Sequence, residues 1–224
     1  MQAPGSERSE HHPGASGGRI AARRATIATM STSTDRLHFT GNDAADRLLV
    51  EEPLALLIGF ALDQQVTVQK AFTGPLELRT RLGHLDAARI ATMDPAELDR
   101  VFRDRPALHR FPGAMASKVQ ALCRVIADRY AGDAGRIWRD AADGPDLAGR
   151  LRALPGFGDM KVASVLAVLG RRLGVALPGL AGVLPAHPTL GDVDSPESLA
   201  RYQAAKRAHK AELRAAAPAP ATRR

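Results

Sequence analysis

Apolar residues recur at helical spacing along most of this chain. Val119, Leu122, Ile126 and Tyr130 mark one face of a helix over 114–130, and Leu147, Leu151 and Leu154 mark another that Asp146 is expected to cap. A helix from Met160 to Leu173 follows, with Val162, Val165, Leu166 and Leu169 as its apolar positions. Further upstream, Asn42 is placed to cap a helix through Leu49, and Pro53 to open one that runs to about Asp63. The unbroken apolar run Leu54–Leu62 makes that second helix a buried one. Asp94-Pro95-Ala96-Glu97 reads as a capping box with proline at the first helical position, and Asp194-Ser195-Pro196-Glu197 as another, opening a last helix through Leu199, Tyr202 and Leu213. Strand signals reduce to Leu37-His38-Phe39, and there is no internal repeat. The predicted fold class is all-α.

The ends differ from this pattern. Residues 1–34 are rich in Gly, Ser, Arg, Thr and Pro without apolar periodicity, which predicts a disordered extension, and Met30 offers an alternative start. That extension lacks the apolar core of a secretory signal, and Glu7 and Glu10 speak against a transit peptide. Residues 35–213 form the expected helical domain, and 214–224 a basic, disordered tail.

The net charge of +7 changes the picture less than it first suggests. Residues 1–30 carry +2 and residues 201–224 carry +6, so that 31–200 carry −1. A basic C-terminus raises affinity for a polyanion by neutralising phosphates, but basic, alanine-rich ends also occur without a specific partner. The longest apolar run is about half the ~18–20 residues of a membrane span, so no membrane is expected. Cys123 is the single cysteine. It excludes an intramolecular disulfide and an all-cysteine iron–sulfur cluster, and its place beside Val119, Leu122 and Ile126 makes it a small core residue. No metal-ligand cluster is visible, no cofactor is expected, and a reducing cytoplasm is the natural compartment.

The most specific feature is Leu154-Pro155-Gly156-Phe157-Gly158 between two apolar helical patterns. Proline ends the first helix, and the two glycines allow positive φ and leave no side chain to hold a phosphate away. Backbone N–H groups at the start of the following helix, with its dipole, then form an anion site. Gly156, Phe157 and Gly158 are the expected contacts to a DNA phosphate, with a monovalent cation bridging nearby carbonyls to it. A packing corner without a ligand is the alternative reading of the same glycines.

At these residues the sequence resembles the helix-hairpin-helix (HhH-GPD) base-excision DNA glycosylase superfamily, and within it the small bacterial branch that lacks an iron–sulfur cluster. The likeness runs from about Leu37 to Lys210. It is carried by Ala45-Asp46-Arg47-Leu48-Leu49, Leu56-Leu57-Ile58-Gly59, Leu62-Asp63-Gln64-Gln65-Val66, Ala71-Phe72-Thr73-Gly74-Pro75, Ala107-Leu108-His109-Arg110-Phe111-Pro112 and Leu154 to Lys161. Asp192-Val193 and Lys206 continue it. The resemblance implies a two-lobed helical fold acting as a monomer on damaged double-stranded DNA, with a flipped base entering a cleft between the lobes. It implies that Gln64 and Gln65 stand near the gap the base leaves, where an amide both donates and accepts. The stretch from Pro178 to Gly191 departs from close relatives, which tend to carry an aromatic residue and Ala-Ala-Gly there.

Members of the superfamily use an aspartate to stabilise the cationic sugar, and bifunctional members add a lysine two residues past the second hairpin glycine. Here that position is Met160, and Lys161 follows it. One residue turns a helical side chain by about 100°, so Lys161 is a nucleophile candidate whose alternative is a phosphate or solvent contact. No carboxylate stands at the usual aspartate position, which falls in Leu177-Pro178-Gly179-Leu180. Asp192 is the preferred substitute, because Asp194 is already explained as a helix cap. His109, beside Arg110, is expected to face phosphate or solvent, and Tyr130 and Trp138 to serve the core. A DNA N-glycosylase, with or without strand-cleaving lyase activity, and a non-catalytic module that binds bent or damaged duplex are the two functions these residues allow.

Overall fold

The first two helices start where the sequence places them. Asn42 accepts the Ala45 amide through Oδ1 at 3.0 Å and opens α1 (Asp43–Glu51); Pro53 opens α2 (Pro53–Leu62). Every residue from Leu54 to Leu62 is buried, and each large side chain among them contributes about 1.5–3 kcal/mol by leaving water. The computed structural model describes residues 34–216. The chain divides into Met1–Ser31 and Thr32–Arg224, and the described residues all belong to the second unit.

The next helix, α3 (Val68–Leu82), carries Pro75 within it and is the longest of those the apolar pattern did not announce. It packs closely on α2 because two glycines let it. A Cβ on Gly59 would stand 2.5 Å from the Phe72 ring, and one on Gly74 would stand 2.6 Å from Leu62. Phe72 also meets Phe39 and Phe60 edge-on, each with ring centres 5.0 Å apart. This interlock fixes the end of α2, where Asp63 follows.

Two short helices, α4 (Ala87–Thr92) and α5 (Pro95–Arg103), precede the long α6 (Pro112–Tyr130). Asp94 caps α5 by accepting from the Ala96 and Glu97 amides, as expected. Cys123 lies in the α6 core face and its thiol is pushed up to about 12 by burial. After α7 (Arg136–Arg139), α8 (Gly144–Arg152) begins one turn earlier than predicted. Its cap is Asp143, which accepts the Asp146 amide, while Asp146 reaches back to the Ala142 amide. Pro145 extends the helix backwards because proline needs no partner in a first turn.

The turn after α8 leads into α9 (Asp159–Arg171), then α10 (Leu180–Val183), a 3-10 turn at Leu190–Asp192 and the last helix, α11 (Pro196–Ala216). The cap of α11 is Ser195, whose Oγ accepts the Ser198 amide at 3.1 Å, and not Asp194. This helix continues three residues into the segment expected as a basic tail; 217–224 and the expected N-terminal extension up to residue 33 lie outside the described residues. No strand occurs among the described residues. Leu37–Phe39 is pinned to α1 instead, with the Leu37 amide on the Asp46 carbonyl and the Phe39 and Thr40 amides on the buried Asp46 carboxylate. Among the described residues no helix is long and apolar enough to cross a membrane.

Candidate functional site

The turn between α8 and α9 is built from inside. Leu154 and Phe157 are buried, and the Phe157 amide donates to the Leu154 carbonyl at 3.1 Å. Phe157 therefore anchors the turn, with its ring buried and its N–H engaged within the turn. Of the two glycines only Gly156 has a positive φ, +79°; Gly158 is extended, at φ −80° and ψ 175°. Gly158 is the N-cap of α9 and supplies no side chain, so the first-turn N–H groups there have no cap. Asp159, exposed in that first turn, is paired with Arg152 at 2.9 Å.

Lys118 ties this turn to the end of α2. Its Cδ and Cε lie 3.2 and 3.3 Å from where a Cβ on Gly156 would stand, and its Nζ donates to Gln64 Oε1 at 2.9 Å. Gln64 Nε2 donates to the Ala61 carbonyl at 3.4 Å, so the amide is engaged at both ends. Gln65 is the exposed one of the pair and sits in the left-handed region at φ 55°.

The turn at Gln64 has a second support, and it overturns the expectation for His109. That ring is buried, 2% exposed, between the Gln64 carbonyl at 3.0 Å from Nε2 and the Phe111 amide, which donates to Nδ1 at 3.0 Å. With Nδ1 accepting, Nε2 carries the proton and donates. Burial first, and the nearby lysines Lys118 and Lys70 after it, hold this imidazole below its ordinary range against the raising effect of its backbone bonds. Arg110 instead stacks on the exposed ring of Phe111 at 5.1 Å.

Lys161 points inward. Met160 is 69% exposed, whereas the Lys161 Nζ is buried, 5.3 Å from the Phe157 ring centre, and has no hydrogen-bond partner. Burial pushes its ammonium down to about 8, the Lys118 charge adds to that, and Asp63 opposes it. Asp63, at the end of α2, is in turn raised by burial, with Lys206 and Lys161 pulling it back. From α11, the half-buried Tyr202 joins the group: Lys206 Nζ stands 5.8 Å from its ring centre, and burial raises its hydroxyl. Asp63, Lys118, Lys161, Tyr202 and Lys206 thus form one cluster from four separate segments.

Asp192 has a different setting from the one the sequence suggested. It closes a capping box at the 3-10 turn, with Oδ2 accepting the Thr189 amide at 2.8 Å and the Thr189 hydroxyl at 3.3 Å, while Oδ1 is paired with Arg171. Asp192 thus has the structural explanation that the sequence did not supply. The carboxylate whose charge acts on Lys161 is Asp63. A cavity of 480 Å³ lined by residues including Glu52, His84, Asp86 and Asp133 shares no residue with the cluster.

Sequence reasoning missed Lys118, Tyr202 and Lys206 as site members, although Lys118 carried a signal of the same kind as Lys161. Lys118 stands three residues from Met115 and four from Leu122, and Lys161 four from Val165, so each shares a face with core positions. No group of three or more His, Cys, Asp or Glu is placed to hold a metal ion among the described residues. Neither a protein-family model nor a curated protein matches the chain.

Proposed function

We propose that this chain is a base-excision DNA repair protein, an N-glycosylase that holds double-stranded DNA at the 154–158 turn and cleaves the glycosidic bond of a flipped nucleotide. The observation that carries this is the buried, unpartnered Lys161 ammonium, within the influence of the Asp63 charge and next to a helix start whose N–H groups lack a cap. A phosphate at that start positions the duplex without reading sequence. A stacked base hides its glycosidic bond, so the nucleotide must leave the helix to be cut.

The chemistry then falls to Asp63. Its carboxylate offsets the positive charge that develops on the sugar as the base departs, and it orients the attacking water. Gln65, exposed at the end of the same segment, is the amide free to occupy the gap in the duplex; Gln64 holds the turn in shape. The two-lobed arrangement, action as a monomer in the cytoplasm and a monovalent cation at the 154–158 turn belong to the same proposal. Lys161 makes a covalent route available as well. Its neutral amine attacks C1′ as the base leaves with the bonding pair, and opening of the C1′–O4′ bond, with O4′ taking a proton from the nitrogen, turns the adduct into an imine.

A panel of otherwise identical duplexes, each with one altered base or an abasic site, tests this directly by release of free base and by strand cleavage. The engaged state of Asp192 favours a second function, a non-catalytic module that binds damaged duplex, and tight binding without release from any member of the panel would select it.

A further inference from the structure

The charge around Asp63 is one-sided. Lys161 Nζ is buried without an acceptor, Lys206 Nζ faces the Tyr202 ring from 5.8 Å, and Lys118 Nζ is held on Gln64, the residue next to Asp63. Lys206 and Lys161 act on Asp63, and Lys118 acts on Lys161. The other carboxylate felt at Tyr202, Asp192, is already paired with Arg171. Three ammonium groups therefore stand against one carboxylate.

A buried ammonium without a partner is costly, and an oxygen acceptor from a ligand relieves that cost. Tyr202, whose hydroxyl feels the charge of Asp63, offers a half-buried aromatic surface on which a planar ring can stack. On the base-release function proposed above, we infer that the nucleobase accepted here presents carbonyl oxygens and carries no positive charge, as deaminated and oxidised bases do, and that cationic N-alkylated purines are refused.

The reaction gives the same answer as the binding. When the C1′–N bond breaks, its electron pair leaves with the base. A neutral, carbonyl-bearing base departs as an anion delocalised onto its oxygens, which the lysines stabilise. Water supplies the oxygen that forms the new bond to C1′, and its proton passes by way of Asp63 to the departed base. A cationic base leaves neutral, so it gains nothing from an ammonium and is repelled by one while still bound.

The test uses the full chain and duplexes that differ at one position. One arm carries hypoxanthine, uracil or xanthine, the other 1-methyladenine or 7-methylguanine, with undamaged duplex as reference. Equilibrium affinity and single-turnover base release are both read. The carbonyl arm is expected to be bound or processed at least about tenfold better than the cationic arm, a modest fraction of what two nearby like charges impose. Lys206→Met should reduce that preference to about threefold or less, and because Lys206 is exposed the variant should keep the fold. Equal treatment of the two arms, or preference for the cationic bases, overturns the inference while leaving DNA binding and repair intact. Failure to bind any duplex, damaged or not, overturns the proposed function and the inference with it.

Discussion

The side chain of Lys118 closes over Gly156, its Cδ lying 3.2 Å from the point where a Cβ on that glycine would stand. Gly156 is thus constrained twice, by its φ of +79° and by the lysine above it, whereas Gly158 is extended with open space around it. Gly156→Ala should therefore cost about 1–2 kcal/mol from the left-handed backbone alone. Gly158→Ala should cost about 0.5 kcal/mol, as a weakened N-cap. Urea denaturation of the two variants separates them, and equal losses would mean the turn differs from the one described.

Because Gly158 tolerates a side chain, it is also the clean position at which to test DNA binding. Gly158→Glu should fold like the parent by circular dichroism and lose duplex affinity by about tenfold or more, since a carboxylate replaces the space for a phosphate. Unchanged affinity would remove the 154–158 turn from the interface.

His109 gives the protein a pH-dependent weakness. Its Nδ1 accepts from Phe111, so protonation breaks that bond and charges a buried ring. The folded imidazole titrates below the ordinary value, so below about 6.5 the unfolded chain binds more protons than the folded one, and stability falls as pH falls. His84, also held low by burial, adds in the same direction. Thermal midpoints measured between pH 7.5 and 5.5 should drop in the parent and drop less in His109→Gln, although that variant starts lower. A slope identical in both would show that His109 does not carry the effect.

Much of this was legible in the chain because helix starts are local. Asn42, Pro53 and Asp94 each carry their signal within three or four residues, and all three start helices. The helix over 68–82 was not legible, because Gly74 and Pro75 read as breakers until Leu62 is seen to need the room that Gly74 leaves. For the site, Gly156 could be found from the Pro-Gly-x-Gly turn between two apolar helical patterns, whereas Gln64 and Lys161 came only with the family resemblance. Asp63 and Asp192 could not be ranked, because which of them faces an ammonium depends on how α2, α9 and the 3-10 turn at Leu190–Asp192 come together. Tyr202 and Lys206 enter only through the packing of α11, which leaves no mark in the periodicity of α2.

Those two aspartates make the chemistry testable in a way that no single variant would. Asp192→Asn should lower the thermal midpoint, since it loses its ion pair with Arg171 and weakens its bonds to Thr189, but reduce base release only modestly. Asp63→Asn should keep duplex affinity and slow base release by about 10²–10³-fold, because an amide has the same shape without the charge the sugar cation needs. Lys161 supplies an independent reading. Its ammonium titrates at about 8, so the amine needed to form an imine with an abasic sugar appears as pH rises through that value. Borohydride trapping on an abasic duplex should rise from pH 6.5 to about 9 and vanish in Lys161→Met. Charges facing Lys161 from α2 and α6 should then move the midpoint in opposite directions. Asp63 favours the ammonium, so Asp63→Asn shifts trapping to lower pH; Lys118 disfavours it, so Lys118→Met shifts trapping to higher pH. Lys206 and Tyr202, which complete the cluster, stay in place in both variants. A midpoint that ignores both substitutions would mean that another amine forms the adduct, and loss of base release in Asp192→Asn but not in Asp63→Asn would return the sugar's carboxylate to Asp192.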